Sequence, residues 1–467
     1  MNAGSGAACP DGGGAFTTFV AWQCGTLGFM KNHAADLTYR PSARGPETKA
    51  ARPGLVSRTI AYAFVVAIGS GAAGYYSNAF PIAGCVILFG GVWFALWALF
   101  SLRGRAALGS LLRADILLWF ILFALPPILM IFASRSFSRG TWTSQFSVLV
   151  ILFVGAVLGL RRDLRGSLIL AVLSVIPVGV ALNLFELLVH NNAWSTAPGR
   201  SAGWYVNPND SSATLALFGI LYFSFRQYKH HRYDVFVLSL IFAGILATFS
   251  RSGFLLFFFC ILASVLSRQG PGVSWSTIRN AVGIALGLSL IAWLAFGVVL
   301  PQLSLTEDAA TRLESIEGSA FVKDYGTDRA PASVYAWAMF RESPMTGVGV
   351  LSSMEMEIGP HNMMAALAMD MGIAPLILYI WLTLRMTWLG VRRLRGPAAV
   401  SPEWLVALWM FAYGFSSHNV LNEPAFVLGM GIAVSSFFAA ASHAGSGRNG
   451  SRYLVLNSPA RALGRVR

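Results

Sequence analysis

The sequence predicts an all-α, polytopic membrane protein with about twelve transmembrane helices and one large extracytoplasmic loop between the ninth and tenth. Three observations lead there. The 467-residue chain is 55% hydrophobic and only 12% charged, with a mean hydropathy of +0.61. Apolar windows of about 20 residues recur along it, the length a helix needs to cross the ~30 Å hydrocarbon core. The basic residues are shared unevenly among the segments that separate those windows. An outer-membrane barrel would instead show short segments of alternating hydrophobicity.

The elements follow in order. Residues 1–58 are Gly- and Ala-rich with scattered Lys and Arg, and are expected to be a mostly disordered cytoplasmic segment. "AFTTFVAWQCGTLGFM" (15–30) is apolar but has no basic stretch ahead of it, so it reads as mobile or interfacial rather than as a cleaved signal peptide. A membrane domain is expected over 59–443. Its spans are placed at 59–77, 80–102, 115–134, 145–160, 165–190, 211–226, 232–250, 252–267, 280–300, 372–391, 402–419 and 425–443. Residues 444–467 form a basic tail. Cys9, Cys24, Cys85 and Cys260 make no C-x-x-C pair, and neither a disulfide framework nor a thiolate metal site is expected.

Charge gives the orientation. With a cytoplasmic N-terminus, 26 of the 34 Lys and Arg fall on the cytoplasmic side and 8 on the other. That is the bias of a polytopic membrane protein, and it accounts for the net charge of +14 without nucleic acid. The outward side then holds 191–210, the Ser250–Arg251 turn, 301–371 and "SSHNVLNEP" (416–424). The long segment carries nine acidic residues against four basic ones between 301 and 360. A loop of that length is usually functional or disordered. "TEDAATRLESIEGSA" and "YAWAMFRESP" read as helical, the second ended by Pro344.

Four residue groups on that face invite chemistry. Arg251, in "ATFSRSGFLLFFF", stands between two apolar runs with only a short polar break. An arginine there either snorkels to lipid phosphate or grips a phosphate two-pronged at headgroup depth. Arg200 lies on the same face, upstream of "NPND", where Asn209 or Asp210 can also serve as a helix cap. His361 and Asn362 open an apolar stretch in "GPHNMMAALAMDMGI". A histidine there caps the helix or, with a pKa near 6.5, acts as a general base. His418–Asn419 is a second candidate with no comparable frame around it.

The order of these motifs resembles the O-antigen ligase and O-antigen polymerase superfamily of bacterial envelope glycosyltransferases. The residues that carry the likeness are Arg200, Gly203, Asn207, Pro208, Asn209, Ser250, Arg251, Ser252, Gly253, Arg329, Trp337, Pro344, Gly347, Gly349, His361, Asn362 and Gly372. The likeness covers roughly 195–375. It implies transfer of a glycan from undecaprenyl diphosphate to lipid A–core or a growing polysaccharide, at the outer face of the bacterial inner membrane. It implies no nucleotide sugar, no metal and no other cofactor. His361 would be the catalytic base, and Arg200 and Arg251 the donor-diphosphate clamp. Asn207, Asn209, Ser250, Arg329, Arg341 and Asn362 would support them. Ligase and polymerase stay open as alternatives. So do a polysaccharide or lipid transporter, which should hold ionisable residues deep in its helices, and a polytopic protein without chemistry.

Overall fold

The computed structural model describes residues 54–79, 81–100, 109–133, 136–189, 193–197, 199–226, 231–268, 329–356, 359–394, 401–418 and 420–456, with single positions at 279, 283 and 287. The segment before 54, the span expected at 280–300, the helix read in "TEDAATRLESIEGSA" and the tail end lie outside them. Among the described residues every regular element is helical and none is a strand.

The helices are α1 (Leu55–Gly69), α2 (Ala72–Ala79), α3 (Pro81–Phe100), α4 (Ala114–Phe132), α5 (Arg139–Leu160), α6 (Arg165–Leu188), α7 (Pro208–Phe225), α8 (His231–Ala247), α9 (Arg251–Arg268), α10 (Arg329–Glu342), α11 (Met363–Met371), α12 (Ile373–Leu394), α13 (Leu405–Gly414) and α14 (Pro424–Leu456). Eleven of the twelve expected apolar segments coincide with helix. Four segments are each long and apolar enough to cross a membrane: Ala114–Phe132, Arg139–Leu160, Arg162–Leu188 and Ile373–Leu394. One boundary is corrected. The segment expected as a single helix over 59–77 breaks at Ser70–Gly71. Tyr205 sits against that break and donates its hydroxyl to the Gly69 carbonyl.

α7 is the axis of the bundle. Every one of its residues except Asn209 is buried. A helix apolar all round can be satisfied only by neighbours on all sides, and α6, α8, α9, α13 and α14 supply them. The tightest seam joins α5 to α14, where Gly155 and Gly159 let the two backbones approach. Small residues four apart serve this purpose in membrane helix pairs.

The two ends of the bundle differ in chemistry. At one end arginines hold carbonyls and carboxylates. Arg113 donates to Phe438 O (2.9 Å), Arg393 to Phe437 O (3.3 Å), and Arg161 to Ala98 O (2.5 Å). Arg161 also pairs with Asp163, Arg385 with Asp115 and Arg226 with Asp234. The opposite end gathers the loops that carry the candidate residues.

Candidate functional site

Glu186 builds the first wall of that end. It is 1% exposed, and its carboxylate accepts four backbone N–H groups: Trp194 (2.8 Å) and Ser195 (2.6 Å) on Oε1, Ala202 (2.7 Å) and Gly203 (2.8 Å) on Oε2. A buried carboxylate is tolerable when its lone pairs are filled in this way. Both ends of the 194–203 loop are thereby tied to α6, and Arg200 is set between them.

Arg200 is half-buried. Its Nε donates to Thr248 O (3.0 Å) and its Nη2 to Asn209 Oδ1 (2.8 Å). The same Asn209 oxygen accepts from Ser250 Oγ (2.9 Å), and Ser250 Oγ lies 3.1 Å from Ser252 Oγ. Ser250 also caps α9, receiving Gly253 N–H at 3.2 Å. Arg200 and Ser250 thus meet at one Asn209 oxygen beside the turn that precedes α9, and Arg251 is the first residue of that helix. Phe249, just before it, has φ +47°, a conformation that only firm surrounding contacts sustain in a bulky residue. The capping duty expected of Asn209 or Asp210 belongs instead to Asn207, whose side chain accepts from Asn209 N–H at 2.9 Å.

Asp210 has a different partner. It is 4% exposed and accepts the Tyr413 hydroxyl at 2.6 Å, joining α7 to α13. Glu423, in the connection from α13 to α14, feels the same carboxylate. Burial first, then the charge of Asp210, pushes Glu423 up to about 8. Burial also pushes the Tyr205 hydroxyl well above its ordinary value.

The 343–373 loop forms the other wall. Val348 N–H donates to Met369 O (2.8 Å) and Ile373 N–H to Pro344 O (2.9 Å), which pins the P-x-x-G-x-G stretch across α11. Gly347 has φ +68°, and a Cβ there would lie 2.5 Å from Met369 O. Asp370 completes the wall, taking Ser353 N–H and Oγ–H at 2.7 Å each. Gly347 is therefore explained by loop packing. Asn362 is the N-cap of α11, accepting Met364 N–H (2.9 Å) and Ala365 N–H (3.2 Å). His361 precedes that cap with φ +45°, and its ring centre is 5.7 Å from that of His418.

The candidates thus fall into two groups. Arg200, Asn207, Asn209, Ser250 and Arg251 surround the starts of α7 and α9. His361 and Asn362 stand at the start of α11. Tyr413 touches the first group through Asp210, and the chain five residues on reaches the second at His418. Arg341 is exposed in the last turn of α10 and joins neither group through a described contact. The Arg329 side chain and Asn419 lie outside the described residues. The sequence reading gave Asp210 only a capping role and missed Tyr413 and Glu423. The only local hint was their place in or near "NPND" and "SSHNVLNEP". Among the described residues no cluster of three or more His, Cys, Asp or Glu could hold a metal ion.

No model of a known protein family matches the chain, and no curated protein matches it.

Proposed function

We propose that the protein is a membrane glycosyltransferase that moves a glycan from undecaprenyl diphosphate to a hydroxyl of lipid A–core or a growing polysaccharide, in the manner of an O-antigen ligase or polymerase. In this reading the chain is a multi-pass protein of a bacterial inner membrane. The arginine-rich end of the bundle faces the cytoplasm and the site faces the periplasm. The basic asymmetry of the sequence supports that orientation.

One observation carries the reading: Arg200 and Ser250, meeting at one Asn209 oxygen, hold the turn that presents Arg251 at the start of an 18-residue helix. A helix N-terminus offers unpaired N–H groups and positive potential, and an arginine there adds a planar fork. Together they suit a diphosphate held at headgroup height by its lipid tail. In this reading Arg200, which donates twice to the turn, helps hold it, and Arg251 at the helix start makes the direct phosphate contact.

The chemistry balances without a further reactant. The acceptor hydroxyl oxygen attacks the anomeric carbon. His361 takes the hydroxyl proton. The bond from the anomeric carbon to the phosphate oxygen breaks, and undecaprenyl diphosphate leaves with the electron pair. Arg251 and the α9 N-terminus stabilise the charge that develops there.

The transporter reading gains one observation, the buried Asp210–Tyr413 contact, because ionisable groups inside helices mark transport paths. Asp210 lies in the first turn of α7, beside the proposed site rather than midway along the bundle. That position favours a role in the site. The test is transfer by purified protein from lipid-linked glycan to acceptor. Arg251→Ala should abolish it, and Arg251→Lys should recover little, since lysine lacks the fork. Full activity in Arg251→Ala removes the clamp. A deletion strain then separates the alternatives: loss of all O-chains means ligase, and one repeat left on the core means polymerase.

A further inference from the structure

His418 is an outward-side candidate that this function leaves unused. Its surroundings are specific. The His361 and His418 rings meet edge to face, with centroids 5.7 Å apart and planes at 73°. Gly359 also packs against the His418 ring, and a Cβ at 359 would come within 2.6 Å of Cε1. The loop therefore has no side chain where one would displace the His418 ring. His361 itself has φ +45°, which a β-carbon disfavours. Such a conformation persists only where neighbours hold it, and it concentrates at functional positions. On the chain side the hold is the Asn362 cap, and across the site it is His418.

A ring needed only to fill this space would be better supplied by Phe. His418 instead buries Nδ1, which finds no hydrogen-bond partner among the described residues. A buried polar atom left unpaired in a native fold calls for a reason. The cavity that His418 borders with Ser353, Asp370 and Asn422 is about 20 Å³, room for one water and too small for a sugar. His418 therefore does not bind the acceptor from that side.

We propose that His418 is a positioning residue for His361, fixing the orientation of the imidazole that receives the acceptor proton. The inference rests on the reading of His361 as general base.

The test uses full-length protein in lipid nanodiscs with three variants. His418→Phe keeps the ring shape and loses both nitrogens. His418→Asn keeps a hydrogen-bonding group. Gly359→Ala displaces the His418 ring without altering either histidine. A misplacement of ~1 Å at a reacting group costs roughly 10²-fold. In His418→Phe and Gly359→Ala, kcat should fall between roughly 10- and 100-fold while donor KM holds. His418→Asn should recover part of the loss. The His361 ring resonances, read by NMR, should move in His418→Phe. Wild-type kcat in His418→Phe overturns the proposal, as does an equal loss in every variant with the His361 resonances unmoved. If wild-type protein transfers no glycan, the proposed function fails by itself. The NMR comparison still decides this inference: unmoved His361 resonances overturn it, and displaced ones sustain the contact.

Discussion

Asn209 is the only residue of α7 that is not buried, and one side-chain oxygen on it holds the whole turn. Asn209→Ala removes two hydrogen bonds at once. The one from Arg200 is charge-assisted, worth about 1.5–3 kcal/mol, and the one from Ser250 is neutral, worth about 0.5–1.5 kcal/mol. Roughly 2–4.5 kcal/mol of restraint on the turn is lost, enough to let it sample other conformations. If Arg251 then sits ~1 Å out of place, transfer should slow by roughly 10²-fold. Asn209→Asp separates geometry from charge. A carboxylate can accept from both Arg200 and Ser250, so the turn stays in place. It also adds a negative charge near the donor diphosphate. At roughly 7 Å and an effective dielectric of ~20, the repulsion is about 2 kcal/mol per phosphate charge, or roughly 30-fold in donor affinity. The assay is transfer from undecaprenyl diphosphate glycan with the donor titrated at low and high salt. The Ala variant should lose kcat at both salts. The Asp variant should keep kcat and show a raised donor KM that salt partly relieves. Wild-type kcat/KM in Asn209→Ala would refute the idea that the Asn209 oxygen positions Arg251. Identical behaviour of the two variants would refute the charge at the site.

Two further outcomes follow from the walls of the site. Burial and the neighbouring Asp210 raise Glu423 above its ordinary 4.5, so its contribution to stability is full below pH 4.5 and is lost as pH rises through its raised folded value. Glu423→Gln should therefore flatten the pH dependence of thermal unfolding between pH 5 and 8.5, and an unchanged slope would show that Glu423 ionises freely. Gly347→Ala places a Cβ 2.5 Å from Met369 O at φ +68°, so it should destabilise by about 2 kcal/mol or more, and a wild-type melting temperature would disprove the packing role of that glycine.

What could be read in the sequence follows from which interactions are local. The apolar runs and the arginines that end them placed eleven segments that the structure makes helical, since length and hydropathy depend on neighbours in sequence. The break at Ser70–Gly71 escaped because the run stays apolar and Gly-rich through it, and the Tyr205 hydroxyl that meets it is 136 residues away. Arg200, Asn209 and Ser250 were each visible as polar residues in turns between apolar runs. Their union at one oxygen was not, because it needs α7, α8 and α9 packed together. Asp210 read as a possible helix cap, although its partner Tyr413 lies 203 residues on. His418 lacked a frame in its own segment, and the structure brings one from Gly359 and His361.

The most direct measurement is the rate of glycan transfer by purified protein with His361 intact and replaced, across pH 5.5 to 8.5. Donor is undecaprenyl diphosphate-linked glycan and acceptor is lipid A–core or a polysaccharide end. Wild-type protein should transfer without added nucleotide or metal. General-base help is worth roughly 10²–10⁴-fold, so His361→Ala should lose that much while donor binding, held at Arg251, survives. His361→Gln keeps a hydrogen-bonding group but takes no proton, and should match the Ala variant. A wild-type rate in His361→Ala at every pH would contradict the catalytic role, and no transfer by the wild-type protein with any such acceptor would contradict the function itself.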